Sequence, residues 1–197
     1  MTGEGARGVE AGPDGRVRCA WCLGDPDYVD YHDRGWGRPV HDDRALFEML
    51  VLESFQSGLS WLTILHKRDH FRRAFGGWDI ARIAEYGEAD VARLVADAGI
   101  VRHRGKIEAT IANAEATRAL HAEGETLAGV LWSFAPRDPA SAPLTDRDLP
   151  AATPESAAMA RELRRRGFRF VGPTTAYSLM QAAGLVNDHL AGCEFRT

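Results

Sequence analysis

Two pairs of metal-ligand side chains stand at opposite ends of this 197-residue chain: Cys19 and His32 near the start, His189 and Cys193 near the finish. The spacings are C-x12-H and H-x3-C. Residues four apart share one face of a helix, so a helical His189 and Cys193 can grip one ion. Two thiolates and two imidazoles make a closed tetrahedral zinc site, structural because no position is left for a substrate. Such a site staples the two termini around everything between them. Two other readings stay open. Three cysteines and seven histidines can yield these spacings by chance. Cys19-Ala20-Trp21-Cys22 is also a C-x-x-C, which suits redox chemistry or a different ligand set.

The length fits one domain, or one domain with two lobes. A hydrophobic content of 45% supplies a proper core. The net charge of −4 excludes a global basic field but not a local basic patch. Three cysteines are too few for a disulfide framework, and the odd count fits a reducing, cytoplasmic setting. No apolar run is long enough to span a membrane. Residues 1–15 carry five glycines and no signal-peptide core, so a disordered tail is expected over 1–16.

The remaining pattern is helical, with no convincing strand alternation. Asp42 or Asp43 caps a helix over Arg44–Phe55, and a second apolar stretch, Leu59–Leu65, carries Trp61. Glu88–Ala98 is expected to stop at Gly99, and Lys106–His121 reads as amphipathic. Residues 135–152 hold four prolines and read as a surface loop. Thr153-Pro154 restarts a helix, with threonine as cap and proline at the first helical position. It stops at Gly167.

Four segments can carry chemistry. Gly167–Met180 reads as a helical hairpin whose second helix opens at Gly172-Pro173-Thr174, with Arg169 just before it. Free amides at a helix start hold phosphate, so the hairpin fits a DNA backbone, and equally an ordinary hairpin with a solvated arginine face. Arg102-His103-Arg104-Gly105-Lys106 is compactly basic: phosphate contact, a lysine nucleophile, or a solvated helix start. Glu53 ends an apolar helix face and Trp61 begins the next. A carboxylate beside an aromatic wall suits a flat heterocycle; a solvent-facing glutamate and a core tryptophan fit as well. Trp21, Tyr28, Tyr31 and Trp36 cluster around Cys19 and His32, as packing for a metal site or as a stacking pocket.

Taken together the segments resemble the 3-methyladenine DNA glycosylase I family of the helix-hairpin-helix superfamily. The matching strings include Arg18-Cys19-Ala20-Trp21, Tyr31-His32-Asp33, Leu52-Glu53, Gly58-Leu59-Ser60-Trp61, Arg102-His103-Arg104-Gly105-Lys106-Ile107, Phe170-Val171-Gly172 and Gly184-Leu185-Val186-Asn187-Asp188-His189. They stand in family order over about residues 17–195. The resemblance implies an all-α fold, a single two-lobed helical domain over 17–197 with the base pocket between the lobes. It implies structural Zn2+ on Cys19, His32, His189 and Cys193. It places base recognition on Glu53, stacking on Trp61, and further pocket walls on Trp21, Tyr28 and Tyr31. Phosphate contacts are expected from Arg104, Lys106, Arg169, Gly172 and Thr174.

The activity so implied is excision of 3-methyladenine from alkylated double-stranded DNA. The base is flipped out and its N-glycosidic bond hydrolysed, without strand cleavage, by a monomer. Glu53 is the residue on which catalysis is expected to depend, through recognition of the adenine amine edge; no general base is assigned. Cys22 matches no family ligand, and Asp188 is expected to support His189. The alternatives are a non-catalytic, zinc-stapled binder of alkylated DNA and a zinc-stabilised enzyme on a small heterocycle.

Overall fold

The apolar run of residues 46–55 becomes the central helix of the molecule. In the computed structural model, which describes residues 6–138 and 141–196, helix α2 (Asp43–Gln56) is buried along most of its length. The Asp42 carboxylate caps it by accepting the Ala45 N–H at 2.8 Å. Leu46, Phe47, Leu50, Val51, Leu52 and Phe55 leave almost no surface exposed, so α2 must be enclosed on several sides. Its neighbours are α3 (Trp61–Ala74), α6 (Arg104–Ala122), α7 (Leu127–Trp132) and α9 (Pro173–Ala182). The short helices α4 (Ile80–Ile83) and α5 (Glu88–Ala96) lean on α6. Phe55, Phe71, Phe75 and Trp78 form a continuous aromatic seam beneath this group. The described residues are 56% helical, which agrees with the expected all-α character. None of their helices is long and apolar enough to cross a membrane.

Helix α8 (Pro154–Arg165) starts where Thr153 accepts the Ser156 N–H, and it pairs with α9 through a tight hairpin. Gly167 sits at φ +94°, the left-handed conformation that ends α8. Phe168 and Val171 bury themselves, while Asn113 of α6 clasps the turn. Its Oδ1 accepts the Arg169 N–H at 2.7 Å, and its Nδ2 donates to the Arg169 carbonyl at 3.2 Å.

Three expectations need correction, and one helix was not foreseen. Residues 6–16 are not a disordered tail. β1 (Val9–Ala11) pairs antiparallel with β2 (Val17–Cys19), with Val9 opposite Cys19. The nearly buried Arg18 holds this hairpin down, since its guanidinium is shared by Asp14 and Asp33. Residues 1–5 lie outside the described part. The same hairpin is the strand pairing that the sequence did not announce. Helix α1 (Pro26–Arg34) was likewise unannounced; the Asp25 carboxylate caps it by accepting from Asp27 and Tyr28. Last, α5 stops at Ala96 rather than running to Ala98.

One glycine fixes where α9 meets the amino-terminal part. Gly184 lies at φ +74°, and a Cβ there would stand 2.5 Å from the Arg38 carbonyl carbon. This close approach accompanies two main-chain bonds, Gly37 N–H to Gln181 O and Val40 N–H to Ala183 O, both 3.1 Å. They hold the loop carrying Trp36 against the end of α9.

Candidate active site and metal centre

Cys19 ends β2 and His32 lies in the last turn of α1. His189 and Cys193 stand in the irregular segment after α9, so they converge through a turn and not along a helix face as expected. The four buried ligand atoms all lie within 4.8 Å of one another. His32 Nε2 is 3.1 Å from His189 Nδ1, and Cys193 Sγ is 3.6 Å from each. Cys19 Sγ is 3.9 Å from His189 Nδ1. Bond lengths of about 2.0–2.3 Å around tetrahedral zinc give edges of about 3.3–3.8 Å, close to this spacing.

The proton arrangement decides the fit. His32 Nδ1 lies 2.8 Å from the Asp33 carboxylate, and His189 Nε2 lies 3.2 Å from the Trp36 carbonyl. Both partners only accept, so both of those ring nitrogens carry the proton. With both rings neutral, as metal ligands are, His32 Nε2 and His189 Nδ1 turn their lone pairs toward one point 3.1 Å apart, as two ligands of a single cation do. The Cys19 hydrogen bond and the two imidazoles also favour thiolate at Cys193. The donor set therefore fits a closed zinc site. Asp33, not Asp188, supports a ligand histidine; Asp188 bonds Tyr177 and Gln181 instead. Cys22 is buried but lies outside the four-residue group.

The aromatic residues around this cluster wall a second site. Trp21 and Trp36 meet edge to face at 5.0 Å, and Trp21 lies 4.9 Å from Tyr28. Tyr31 faces Trp61 with ring centroids 5.3 Å apart. Between them is a cavity of about 210 Å³ that also meets Glu53, Gln56, Leu149, Ser178 and Gln181. Sites for drug-sized ligands run from about 300 Å³ upward, so this one suits a single small heterocycle. A larger hollow of about 950 Å³ lies between the β-hairpin and α1. It has no aromatic wall, and Arg18 on its floor is neutralised by Asp14 and Asp33.

Glu53 is only 5% exposed, and its Oε2 has no hydrogen-bond partner. Burial alone pushes its carboxyl up to about 8. The indole Nε1 of Trp61 is also without a partner. An unpaired acceptor and an unpaired donor around one small cavity are what a polar aromatic ligand would satisfy. Gln56, Leu149, Ser178 and Gln181 were not foreseen as lining residues. Ser178 and Gln181 are three apart on α9, but nothing in their spacing says which cavity that face meets.

One of the expected phosphate-contact residues is turned inward. Lys106 is buried: its Nζ donates to the Phe55 and Ser57 carbonyls at 2.9 and 2.7 Å, closing the end of α2. A charge held inside as a helix cap cannot reach a phosphate, so that expectation is corrected. Arg104 is exposed but paired with Glu88 and Glu108. Arg169 is exposed at the hairpin tip, Gly172 caps α9, and Thr174 lies in its first turn. His103 contacts Phe170, which brings the basic loop before α6 beside this hairpin. Replacing Lys106 by methionine should lower unfolding stability by about 2 kcal/mol, the worth of hydrogen bonds from a charged donor. The salt dependence of DNA affinity should stay as it was. A reduced salt slope with unchanged denaturation would return Lys106 to the DNA face.

The model of the methyladenine glycosylase family matches residues 21–197. The chain belongs to that family. DNA-3-methyladenine glycosylase 1 of Escherichia coli is 48% identical over 177 residues, 89% of this chain and 95% of that protein. A crystal structure of 3-methyladenine DNA glycosylase I is 49% identical with a TM-score of 0.88, covering 91% of this chain and all of that one. The Staphylococcus aureus glycosylase structure described as the basis of 3-methyladenine recognition is 35% identical, with a TM-score of 0.85 over 91% of this chain and 96% of that one. Within this glycosylase family, then, the chain is an enzyme and not merely a binder. Its β-hairpin begins ahead of the family match.

Proposed function

We propose that this methyladenine glycosylase excises 3-methyladenine from alkylated double-stranded DNA and leaves an abasic site with the strand intact. The observation that carries the reading is the unpaired, desolvated Glu53 carboxylate in a small aromatic cavity. The lesion must leave the stack to be reached. Methylation makes the purine cationic, so Tyr31, Trp61 and Trp21 hold it by stacking and cation–π attraction. Its positive charge next to Glu53 lowers the carboxyl back toward ionisation, and the carboxylate accepts from the exocyclic amine. A neutral base still stacks but gains neither the cation–π attraction nor the charge that ionises Glu53.

The chemistry is light because the leaving group is already activated. Water adds to the sugar carbon as the glycosidic bond breaks; the bond electrons neutralise the departing purine, and the water's proton goes to solvent. A strand-cleaving mechanism needs an amine nucleophile. The chain has two lysines, and both are engaged: Lys106 on the α2 carbonyls, Lys67 on the Ala98 and Gly99 carbonyls. Neither lines the cavity. Arg169 and the backbone N–H groups of Gly172 and Thr174 hold backbone phosphate. Helices α1–α3 and α9 together wall the pocket, and we take the enzyme to act as a monomer. Zinc bound by Cys19, His32, His189 and Cys193 supplies a structural crosslink.

Free-base release from methylated duplex DNA, with products identified by mass, tests the reading. Release of 3-methyladenine without strand breaks is expected. No release from folded, metal-loaded protein would overturn it, and breaks before alkali treatment would overturn the monofunctional part.

A further inference from the structure

Asp188 is buried (only 8% exposed), one residue before His189, yet it gives that ligand no support. Its Oδ2 instead takes the Tyr177 hydroxyl at 2.6 Å and the Gln181 side-chain amide at 2.8 Å. A carboxylate offers only acceptors, so the atom of Gln181 that faces it must be Nε2. Tyr177 fills another acceptor direction of the same oxygen and holds the carboxylate in place. The amide of Gln181 is therefore locked, with carbonyl Oε1 at the end away from Asp188. Gln181 lies on the wall of the cavity together with Glu53 and Ser178.

Resting on the proposed function, we propose that Gln181 is a specificity-determining residue: Asp188 and Tyr177 set its amide so that Oε1 presents an acceptor to the flipped base. With Glu53 the cavity then carries two acceptors. A 6-aminopurine offers two N–H donors on its exocyclic amine and can meet both. A 6-oxopurine carries a carbonyl at that position and meets acceptors with an acceptor. The pocket thus selects 3-methyladenine over 3-methylguanine, although both are cationic and stack alike. Tyr177 and Asp188 act through Gln181 and are positioning residues. A freely rotating glutamine would turn its nitrogen to the oxo group and lose the discrimination.

Methylated duplex DNA contains both lesions, so one digestion reads the ratio of the two released bases. Gln181→Met should narrow the preference for 3-methyladenine about tenfold, the worth of one hydrogen bond at its upper range. Tyr177→Phe and Asp188→Asn should narrow it in the same sense, with bound metal and melting temperature recorded for each. Asparagine at 188 can donate to Oε1 and so permits the flipped amide. Equal loss of both bases in Gln181→Met, or an unchanged ratio, would overturn the proposal. If Asp188→Asn sheds metal, the Tyr177→Phe ratio decides. Wild-type protein that releases neither base sinks the proposed function itself, a result distinct from release without selectivity.

Discussion

Glutamine in place of Glu53 cuts base release about a hundredfold or more and makes the folded protein more stable above neutral pH. Both effects come from the burial that pushes this carboxyl up to about 8. A carboxyl with a raised folded value binds its proton more tightly in the native state than in the unfolded chain. It therefore costs nothing below about pH 4, where both states are protonated. The cost grows as pH rises through the unfolded value and levels off above about 8. Each tenfold gain in proton affinity is worth about 1.4 kcal/mol, so the penalty at pH 8 is a few kcal/mol. Glutamine has no proton to lose. The melting temperature of Glu53→Gln should then exceed that of the wild type by about 10 °C at pH 8, with the gap closing toward pH 4.

The same substitution removes the anion that answers the cationic base. Loss of about 10²-fold or more in kcat/KM is expected, the usual effect of deleting one preorganised electrostatic partner. The wild-type kcat/KM should rise with pH toward a midpoint near 8, and that limb should vanish in the variant. Retained release would show that recognition lies elsewhere. A melting difference that does not change between pH 4 and 8 would show that Glu53 is solvated.

Withdrawing the metal should be the other large effect. Structural zinc sites contribute about 10–16 kcal/mol of apparent binding energy in small domains, comparable with the whole stability of an ordinary domain. Here the loss is confined. Cys19, Leu190, Cys193 and Phe195 form a small hydrophobic cluster of their own, apart from the large one around α2. Chelation, or Cys193→Ala, should therefore free the two terminal segments first and lower the melting temperature by about 10 °C or more. Release falls with it, because Trp21 contacts His32 at 5.2 Å and Trp36 contacts His189 at 4.7 Å, so the pocket walls lean on the ligands. Cys22→Ser should keep its metal. Identical melting with and without chelator, on protein shown to have lost zinc, would refute the staple.

What was legible from the residues is what local chemistry dictates. Asp42, Thr153-Pro154 and Gly167 mark helix ends because capping is settled within four residues of chain. The metal quartet was legible as side-chain types, but its geometry was not: His189 and Cys193 meet through a turn, although their spacing equally suits a helix. Helix α1 was hidden because Tyr28, Tyr31 and His32 spend its inner face on a cavity and a Cys/His cluster instead of an aliphatic core. Lys106 looked like a phosphate ligand since a basic string carries no sign of the carbonyls waiting at the end of α2. Gln181 and Asp188 gain meaning only from each other and from Glu53, more than a hundred residues earlier in the chain.

The four-ligand cluster also sets an order of events. His32 and His189 are 157 residues apart, so during synthesis the first half of the site waits for the second. At ordinary elongation rates that wait is on the order of ten seconds. Through it Glu53 and Trp61 are already made, while Trp21 and Trp36 have nothing to lean against and α9 has not closed the far wall. A nascent chain on the ribosome therefore holds an unfinished pocket. On the proposed reading, competence to take up a base arrives only once residues 189–193 are made, in the same step that brings the four ligand side chains together.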